Sequence, residues 1–224
     1  MKIVVIADIH GRIGNLSIAE ADIRASHMVL LTGDITNFGG RQEAERILEA
    51  LEGLAQNILA VPGNCDFPDV ETVLTERGYN LDGRGREVDG LGFVGLGGSL
   101  PAPGGTPNEY SEDELAQRLS KAANAIDLAS PFLLVSHQPP INTSADRVRP
   151  GQHVGSQRIR KFIENHRPMA CLTGHIHEGV GIDTIGKTKI VNPGPLPNGR
   201  YGYLEIVDGQ TKAELRGASP KPYI

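Results

Sequence analysis

Five short apolar runs punctuate the chain, at residues 3–7, 28–31, 58–61, 132–135 and 169–172. Each is continuous rather than alternating, the pattern of strands buried on both faces. Helical periodicity lies between them. Ala44, Ile47, Leu48, Leu51 and Leu54 put an apolar stripe on a helix over 42–57. Ser111 with Glu114 is a capping-box signature, opening a helix that runs to about residue 127. Ile159, Phe162 and Ile163 mark a shorter helix over 156–165.

The pattern then changes. Residues 180–185, 188–191, 201–207 and 211–215 have strand character, joined by turns at Ile185-Gly186-Lys187 and Val207-Asp208-Gly209-Gln210. Alternating strands and helices followed by hairpins suit two packed sheets with helices outside. No internal repeat or linker divides the chain, so 1–224 is expected to be a single domain. Two stretches, 97–110 and 138–155, are expected to be long loops. Loops of that length in compact domains are often functional.

Candidate chemistry follows the strands. The five runs end in Asp8-Ile9-His10, Thr32-Gly33-Asp34, Pro62-Gly63-Asn64-Cys65-Asp66, Ser136-His137 and Thr173-Gly174-His175-Ile176-His177. Ligands gather at the carboxyl ends of strands in open α/β sheets, so five such endings can meet in one crevice. Residues two apart on extended backbone point the same way, which would bring Asp8 with His10, and His175 with His177, to one site. Gly33, Gly63 and Gly174 each precede a candidate ligand, where backbone must approach closely. Taken singly, each residue has a plainer reading, with Asp34 as a turn former and Asn64 as an Asx-turn residue. Five endings in order favour a site. Seven ligands with one shared carboxylate give four protein groups to each of two ions. Imidazole, carboxylate and amide oxygen together suit manganese, iron, zinc, cobalt or nickel, and not an all-oxygen calcium cage.

Composition narrows the class. The chain has 224 residues, of which 39% are hydrophobic and 22% charged, as in globular proteins. The net charge of −5 argues against general nucleic-acid binding, although bound cations still allow an anionic substrate. Residues 1–10 are expected to form a first strand rather than a signal peptide. No apolar stretch has the length of a membrane span. Cys65 and Cys171 do not suggest a disulfide framework, and a cytoplasmic protein with reduced thiols is expected.

The order Asp-x-His, Gly-Asp, Gly-Asn-x-Asp, His, Gly-His-x-His resembles the calcineurin-like metallophosphoesterase superfamily, from Asp8 to His177. Asn192-Pro193-Gly194 beyond it is similar as well. The resemblance implies a four-layer αββα sandwich of two mixed sheets flanked by helices. It implies that Asp8, His10 and His177 hold one metal, that Asn64, His137 and His175 hold the other, and that Asp34 bridges them. It implies hydrolysis of phosphoric esters by a hydroxide held between two divalent ions. One departure bears on mechanism. The family commonly has His after the Gly-Asn pair, as the acid for the leaving group; this chain has Cys65, with Asp66 following. A thiol of ordinary pKa near ~8.5 is a poorer acid at neutral pH. A subgroup of small phosphodiesterases is similar in carrying Gly-Asn-Cys-Asp, which favours phosphodiesters. Phosphomonoester hydrolysis is the alternative enzyme reading, and a non-catalytic scaffold on the same fold is the alternative from another class. Cys65 and Asp66 are thus the candidate catalytic residues, with a small buried filler as the plainer reading of Cys65.

Other signals are weaker. Arg147, Arg149 and His153 are candidate phosphate contacts in the second long loop, since arginine grips phosphate oxygens bidentately. Gly90-Leu91-Gly92-Phe93-Val94-Gly95 matches a dinucleotide fingerprint formally, but no helix pattern opens after it, so a tightly packed strand is expected. His27 and His166 have no motif around them.

Overall fold

A computed structural model describes residues 1–218. In chain order the elements are β1 (Lys2–Ile6), α1 (Leu16–Ala25), β2 (Met28–Leu31), α2 (Arg41–Glu52), β3 (Ile58–Ala60), α3 (Pro68–Glu76), β4 (Gly85–Val88), β5 (Leu91–Leu96), α4 (Glu112–Ala123), β6 (Phe132–Ser136), β7 (Arg147–Arg149), β8 (Gln152–His153), α5 (Gln157–His166), β9 (Ala170–Leu172), β10 (Gly181–Ile185), β11 (Thr188–Asn192), β12 (Arg200–Val207) and β13 (Gln210–Gly217). Short 3₁₀ turns lie at Ser144–Asp146 and Leu196–Asn198.

Two mixed sheets form. One has the order β13-β12-β1-β2-β3, the other β10-β11-β9-β6-β5-β4. β1, β2 and β3 are parallel, as are β5, β6, β9 and β11; β12, β13, β10 and β4 complete the edges antiparallel. Continuous apolar runs form the central strands because both faces are covered. Val4, Ile6, Val29 and Leu31 pack under α1, α2 and α3. Their neighbours Ile3, Val5, Met28 and Leu30 face Phe93, Leu133, Val135 and Leu172 of the second sheet. Val94, Leu134 and Cys171 on its far side meet Leu115 and Leu119 of α4 and Ile159 and Ile163 of α5. Three cores stacked in this way make the four-layer αββα sandwich that the sequence pattern and the resemblance predict.

Several details differ from the sequence reading. α2 stops at Glu52 because Gly53, a poor helix former, caps it. α4 has the full capping box at Ser111 and Glu114 but ends at Ala123, where the amides of Ala125 and Ile126 tighten into i→i+3 bonds. α1 and α3 went unread. α1 buries only Leu16, Ala19 and Ile23, while α3 carried a usable signal in Pro68 at its first turn with Asp69 and Glu71. β4 is half-exposed and lacks an apolar run, yet Asp89-Gly90, with φ of 51° and 77°, makes the tight turn into β5. The dinucleotide-like glycines are therefore a hairpin turn and a strand. Residues 138–155 are not one loop, since the 3₁₀ turn and the β7–β8 ribbon lie within them. Among the described residues no helix is long and apolar enough to cross a membrane.

Candidate metal centre

All seven candidate ligands lie in one connected cluster, at the carboxyl ends of β1, β2, β3, β6 and β9. His177 Nε2 is 3.8 Å from Asp8 Oδ1 and 3.2 Å from His10 Nε2. His10 Nε2 is 3.6 Å from Asp34 Oδ2. The other oxygen, Asp34 Oδ1, is 3.5 Å from His137 Nε2, which is 2.9 Å from Asn64 Oδ1. The His175 ring centroid lies 5.1 Å from that of His137, and the His175 amide donates to Asp8 Oδ1 at 3.0 Å. Asp8, Asp34, Asn64 and His137 are buried.

The spacing that brings Asp8 with His10, and His175 with His177, works for a different reason than strand alternation. β1 ends at Ile6 and β9 at Leu172. Asp8 (φ 51°), His10 (φ 47°), Asp34 (φ 48°) and His175 (φ 67°) all adopt the left-handed region. Non-glycine residues there cost free energy and cluster at functional sites. Backbone bonds hold the conformation: the amides of Asp8, His10 and Gly11 donate to the carbonyls of Gly33, Asp34 and Ile35. The preceding glycines are needed for approach. A Cβ on Gly33, itself at φ 102°, would collide with the His137 ring, and one on Gly63 with Asp34. Asn192, of the Asn-Pro-Gly segment, donates to the Ile176 carbonyl at 2.9 Å and so pins the turn between His175 and His177.

The donor set fits cations. His137 Nδ1 is 2.7 Å from the Thr32 carbonyl, which can only accept, so Nδ1 carries a proton, and Nε2 is the nitrogen free to offer a lone pair to a cation. Nε2 lies 2.9 Å from Asn64 Oδ1, so both atoms are close enough to serve one cation. Asp8 Oδ2 is buried without a hydrogen-bond partner among the described residues. Burial, with Asp34 close by, raises the Asp8 carboxyl well above the carboxylate range despite opposition from His137. Burial opposes the Asp34 charge as well, but His137 and His10 outweigh it and hold that carboxyl low. Burial, reinforced by His137, lowers His175 to about 3, and burial also lowers His10 and His177, which favours the neutral, ligating ring over the imidazolium that would pair with Asp34. Three side-chain groups bring one ligand atom each within 4.8 Å of one another: Asp8-His10-His177, His10-Asp34-Cys65 and Asp8-Asp34-His137.

Cys65 is buried beside this centre. Its amide donates to Asp34 Oδ1 at 2.8 Å, and Asn64 Nδ2 lies 3.7 Å from its sulfur. Burial and then Asp34 push the thiol above its ordinary pKa, so it stays protonated at neutral pH. Asp66 faces backbone. Its carboxylate accepts from the amides of Ile35, Gly63 and Thr36 and from the Thr36 hydroxyl, at 2.7–3.1 Å. It thereby latches the turn after β2 to the turn after β3. His153 Nδ1 donates to buried Asp146 at 2.7 Å, and Arg147 and Arg149 stand exposed on β7. The structure thus ties His153 into the second loop region rather than to the seven ligands.

Sequence reasoning passed over two groups. Arg12 and Asn37 line a cleft of about 330 Å³ with His10, His177, Pro195, Pro197 and Asn198. Thr106 accepts from Asn64 Nδ2 at 3.2 Å, and Asn108 binds the Gly63 carbonyl, so the loop 97–110 folds over Asn64. The length of that loop was the only signal available.

A mixed two-sheet sandwich with this centre at its strand ends defines a class, and the comparisons agree. The chain belongs to the calcineurin-like phosphoesterase family, whose model matches residues 1–179. It is 40% identical over 200 residues to an uncharacterized protein of Methanocaldococcus jannaschii, covering 87% of this chain and 88% of that one. It is 26% identical over 170 residues to a probable cyclic nucleotide phosphodiesterase of Synechococcus, covering 72% of this chain and 64% of the other. A crystal structure of a Thermus thermophilus protein shares the fold at a TM-score of 0.70 and 17% identity, over 95% of this chain and 97% of that one. The family chemistry is metal-dependent hydrolysis of phosphoric esters, and the clustered ligands here are consistent with it.

Proposed function

We propose that the chain is a binuclear metal-dependent phosphodiesterase. One observation carries the binuclear reading: the two oxygens of Asp34 face opposite halves of the cluster, Oδ2 toward His10 and Oδ1 toward His137. A carboxylate so placed serves as the shared ligand. Asp8, His10 and His177 would complete one ion, and Asn64, His137 and His175 the other. When bound, the ions would activate a water and neutralise charge on the phosphoryl group.

The chain's own residues prepare this chemistry. Neutral imidazoles offer lone pairs without first losing a proton. Asp66 acts as a positioning residue, holding the Asp34 and Asn64 turns in fixed relation. Arg12 lines the cleft beside His10 and His177 and is better placed to grip a phosphoryl oxygen than Arg147 and Arg149 on β7, which do not line it. Support for diesters comes from Cys65: a thiol held above its ordinary pKa protonates a poor leaving group weakly. The similarity to a protein described as a probable cyclic nucleotide phosphodiesterase points the same way. Two free buried cysteines fit a reducing, cytoplasmic setting.

The test is a screen of generic mono- and diesters against manganese, iron, zinc, cobalt and nickel, with metal content measured in parallel. Diester turnover with about two ions per chain is expected, as in two-metal sites. Faster monoester turnover would overturn the substrate class. Metal-free, inactive protein would indicate a scaffold.

A further inference from the structure

Asp82, between α3 and β4, is not one of the seven ligands, yet it is only 4% exposed. One carboxylate oxygen accepts from the Gly97 amide at 2.7 Å, and the other pairs with the Arg118 guanidinium of α4. The same guanidinium lies over the Tyr110 ring, 4.2 Å from its centroid, as a cation–π contact. Gly97 and Tyr110 are the two ends of the loop 97–110. Arg118 therefore holds one end through Asp82 and the other directly.

Backbone bonds close the neck between those ends. The Ser99 amide donates to the Asn108 carbonyl at 3.2 Å, and the Tyr110 amide to the Ser99 carbonyl at 2.8 Å. The space is tight, since a Cβ on Gly98, itself at φ 72°, would fall 2.6 Å from the Tyr110 ring. Beyond the neck the loop grips the turn that carries Asn64. The Gly98 amide donates to the Pro62 carbonyl at 3.0 Å, the Asn108 amide to the Asn64 carbonyl at 3.1 Å, and the Asn108 side chain to the Gly63 carbonyl at 3.0 Å. Thr106 then accepts from Asn64 Nδ2. An ion pair with one partner this buried adds little net stability against apolar packing. Arg118 Nε is moreover buried without a hydrogen-bond partner among the described residues, a further cost. What the pair supplies is a fixed geometry at the base of the loop.

We propose that Arg118 is a positioning residue for the Asn64 side of the metal centre. By pairing with Asp82 and stacking on Tyr110 it holds both ends of the loop 97–110, and so keeps Thr106 where it orients the Asn64 carboxamide. The inference rests on the binuclear reading, in which Asn64, His137 and His175 hold one ion, and adds a residue that touches neither ion nor substrate. A relaxed neck lets Thr106 drift and frees the carboxamide to turn its nitrogen toward His137. The turns of Asp8, His10 and His177 are held by other segments, through the carbonyls of Gly33, Asp34 and Ile35 and through Asn192, so their ion should not respond.

The experiment measures both metal affinities by chelator competition, in a double-mutant cycle with Thr106→Val, and amide hydrogen exchange of the metal-free protein. Arg118→Met keeps the side-chain stem and removes the charge. Asp82→Asn/Arg118→Met also removes the carboxylate left unpaired, while asparagine still accepts from Gly97, and it serves where the single variant fails to fold. Either variant should weaken one metal by about tenfold, the scale for losing support behind a ligand, and leave the other unchanged. In the Thr106→Val background the same change should add nothing, because both act through one carboxamide. Exchange of the Asn108 amide should speed up, while that of Val29 in β2 stays slow. Unchanged affinities, equal losses at both metals as plain destabilisation would give, or losses that add in the cycle would overturn the positioning role. Fewer than two ions in wild type would defeat the binuclear reading instead; the hold of Arg118 on the loop is then judged by Asn108 exchange, and an unchanged rate would overturn it.

Discussion

Asn64 donates its side-chain amide to the Thr106 hydroxyl oxygen at 3.2 Å. Thr106 spends its own proton on Glu109, at 2.6 Å, so its oxygen can only accept. The amide nitrogen of Asn64 is thereby fixed on the loop side, and its oxygen is turned toward His137. On the proposed reading Asn64 presents this oxygen to a metal, and the loop 97–110 holds the carboxamide in that orientation. Thr106→Val removes the acceptor at nearly constant volume. It should weaken one of the two metals by about tenfold, as loss of a ligand's hydrogen-bond partner typically does. Chelator-competition titration would check this. Thr106→Ser should keep both affinities.

Asp34→Asn tests the shared ligand. Asparagine keeps an oxygen to accept from the Cys65 amide, now 2.8 Å from Oδ1, so the fold should survive, as circular dichroism would verify. The shared negative charge is lost. Hydrolysis should fall by about a thousandfold, the equivalent of several kcal/mol of charge stabilisation. Metal content by mass spectrometry should drop below two ions per chain. Near-normal turnover would defeat the binuclear mechanism.

What the sequence conveyed follows from where each signal is stored. Residues 3–7 and 28–31 are apolar on both faces because they lie between two cores, so their strands are legible and the polar groups ending them are conspicuous. Thr106, Arg12 and Asn37 are ordinary loop residues by type, and their meaning comes only from chain segments that meet in space. β4 was invisible because one edge strand, half-exposed, needs no apolar run. The pairing of Asp8 with His10 was legible from spacing, yet its cause is a left-handed turn, since φ above zero in Asp and His leaves no mark in composition.

Metal should stabilise the protein, and more so at higher pH. The folded-state carboxyl of Asp8 is raised to about 7 from 3.8, chiefly by burial. A raised pKa stabilises the metal-free fold fully below the unfolded value, and that contribution fades as pH rises through the folded one. Between pH 4 and 7, on the figures for Asp8, the metal-free protein therefore loses this support. Metal binding needs the carboxylate ionised and strengthens over the same window. The rise in Tm on adding manganese or zinc should grow from pH 5 to pH 7.5; where the metal reaches a hundredfold excess over Kd it adds about 2.7 kcal/mol of stability. Scanning calorimetry with and without metal would measure it. A shift that shrinks with pH would show that Asp8 is not a ligand.

The position of Cys65 sets a final expectation. The sulfur lies within ligand reach of His10 and Asp34, at the place where the family commonly has its acid. Burial and Asp34 keep the thiol protonated, so it can offer a hydrogen bond but gives up its proton reluctantly. Wild-type rates should therefore fall steeply as the leaving-group pKa rises, with activated aryl esters least affected because their oxygens need no proton. Cys65→Ser should keep both metals, since the Asn64 and Asp34 contacts run through its backbone amide and neighbours, and should slow esters with poor leaving groups most. Cys65→His restores a group whose ordinary pKa is near ~6.5, and should flatten the dependence and help monoesters. The measurement is log(kcat/KM) against leaving-group pKa for the three proteins, with metal content held equal. Parallel lines for wild type and Cys65→Ser would remove Cys65 from leaving-group departure and leave it as a buried filler.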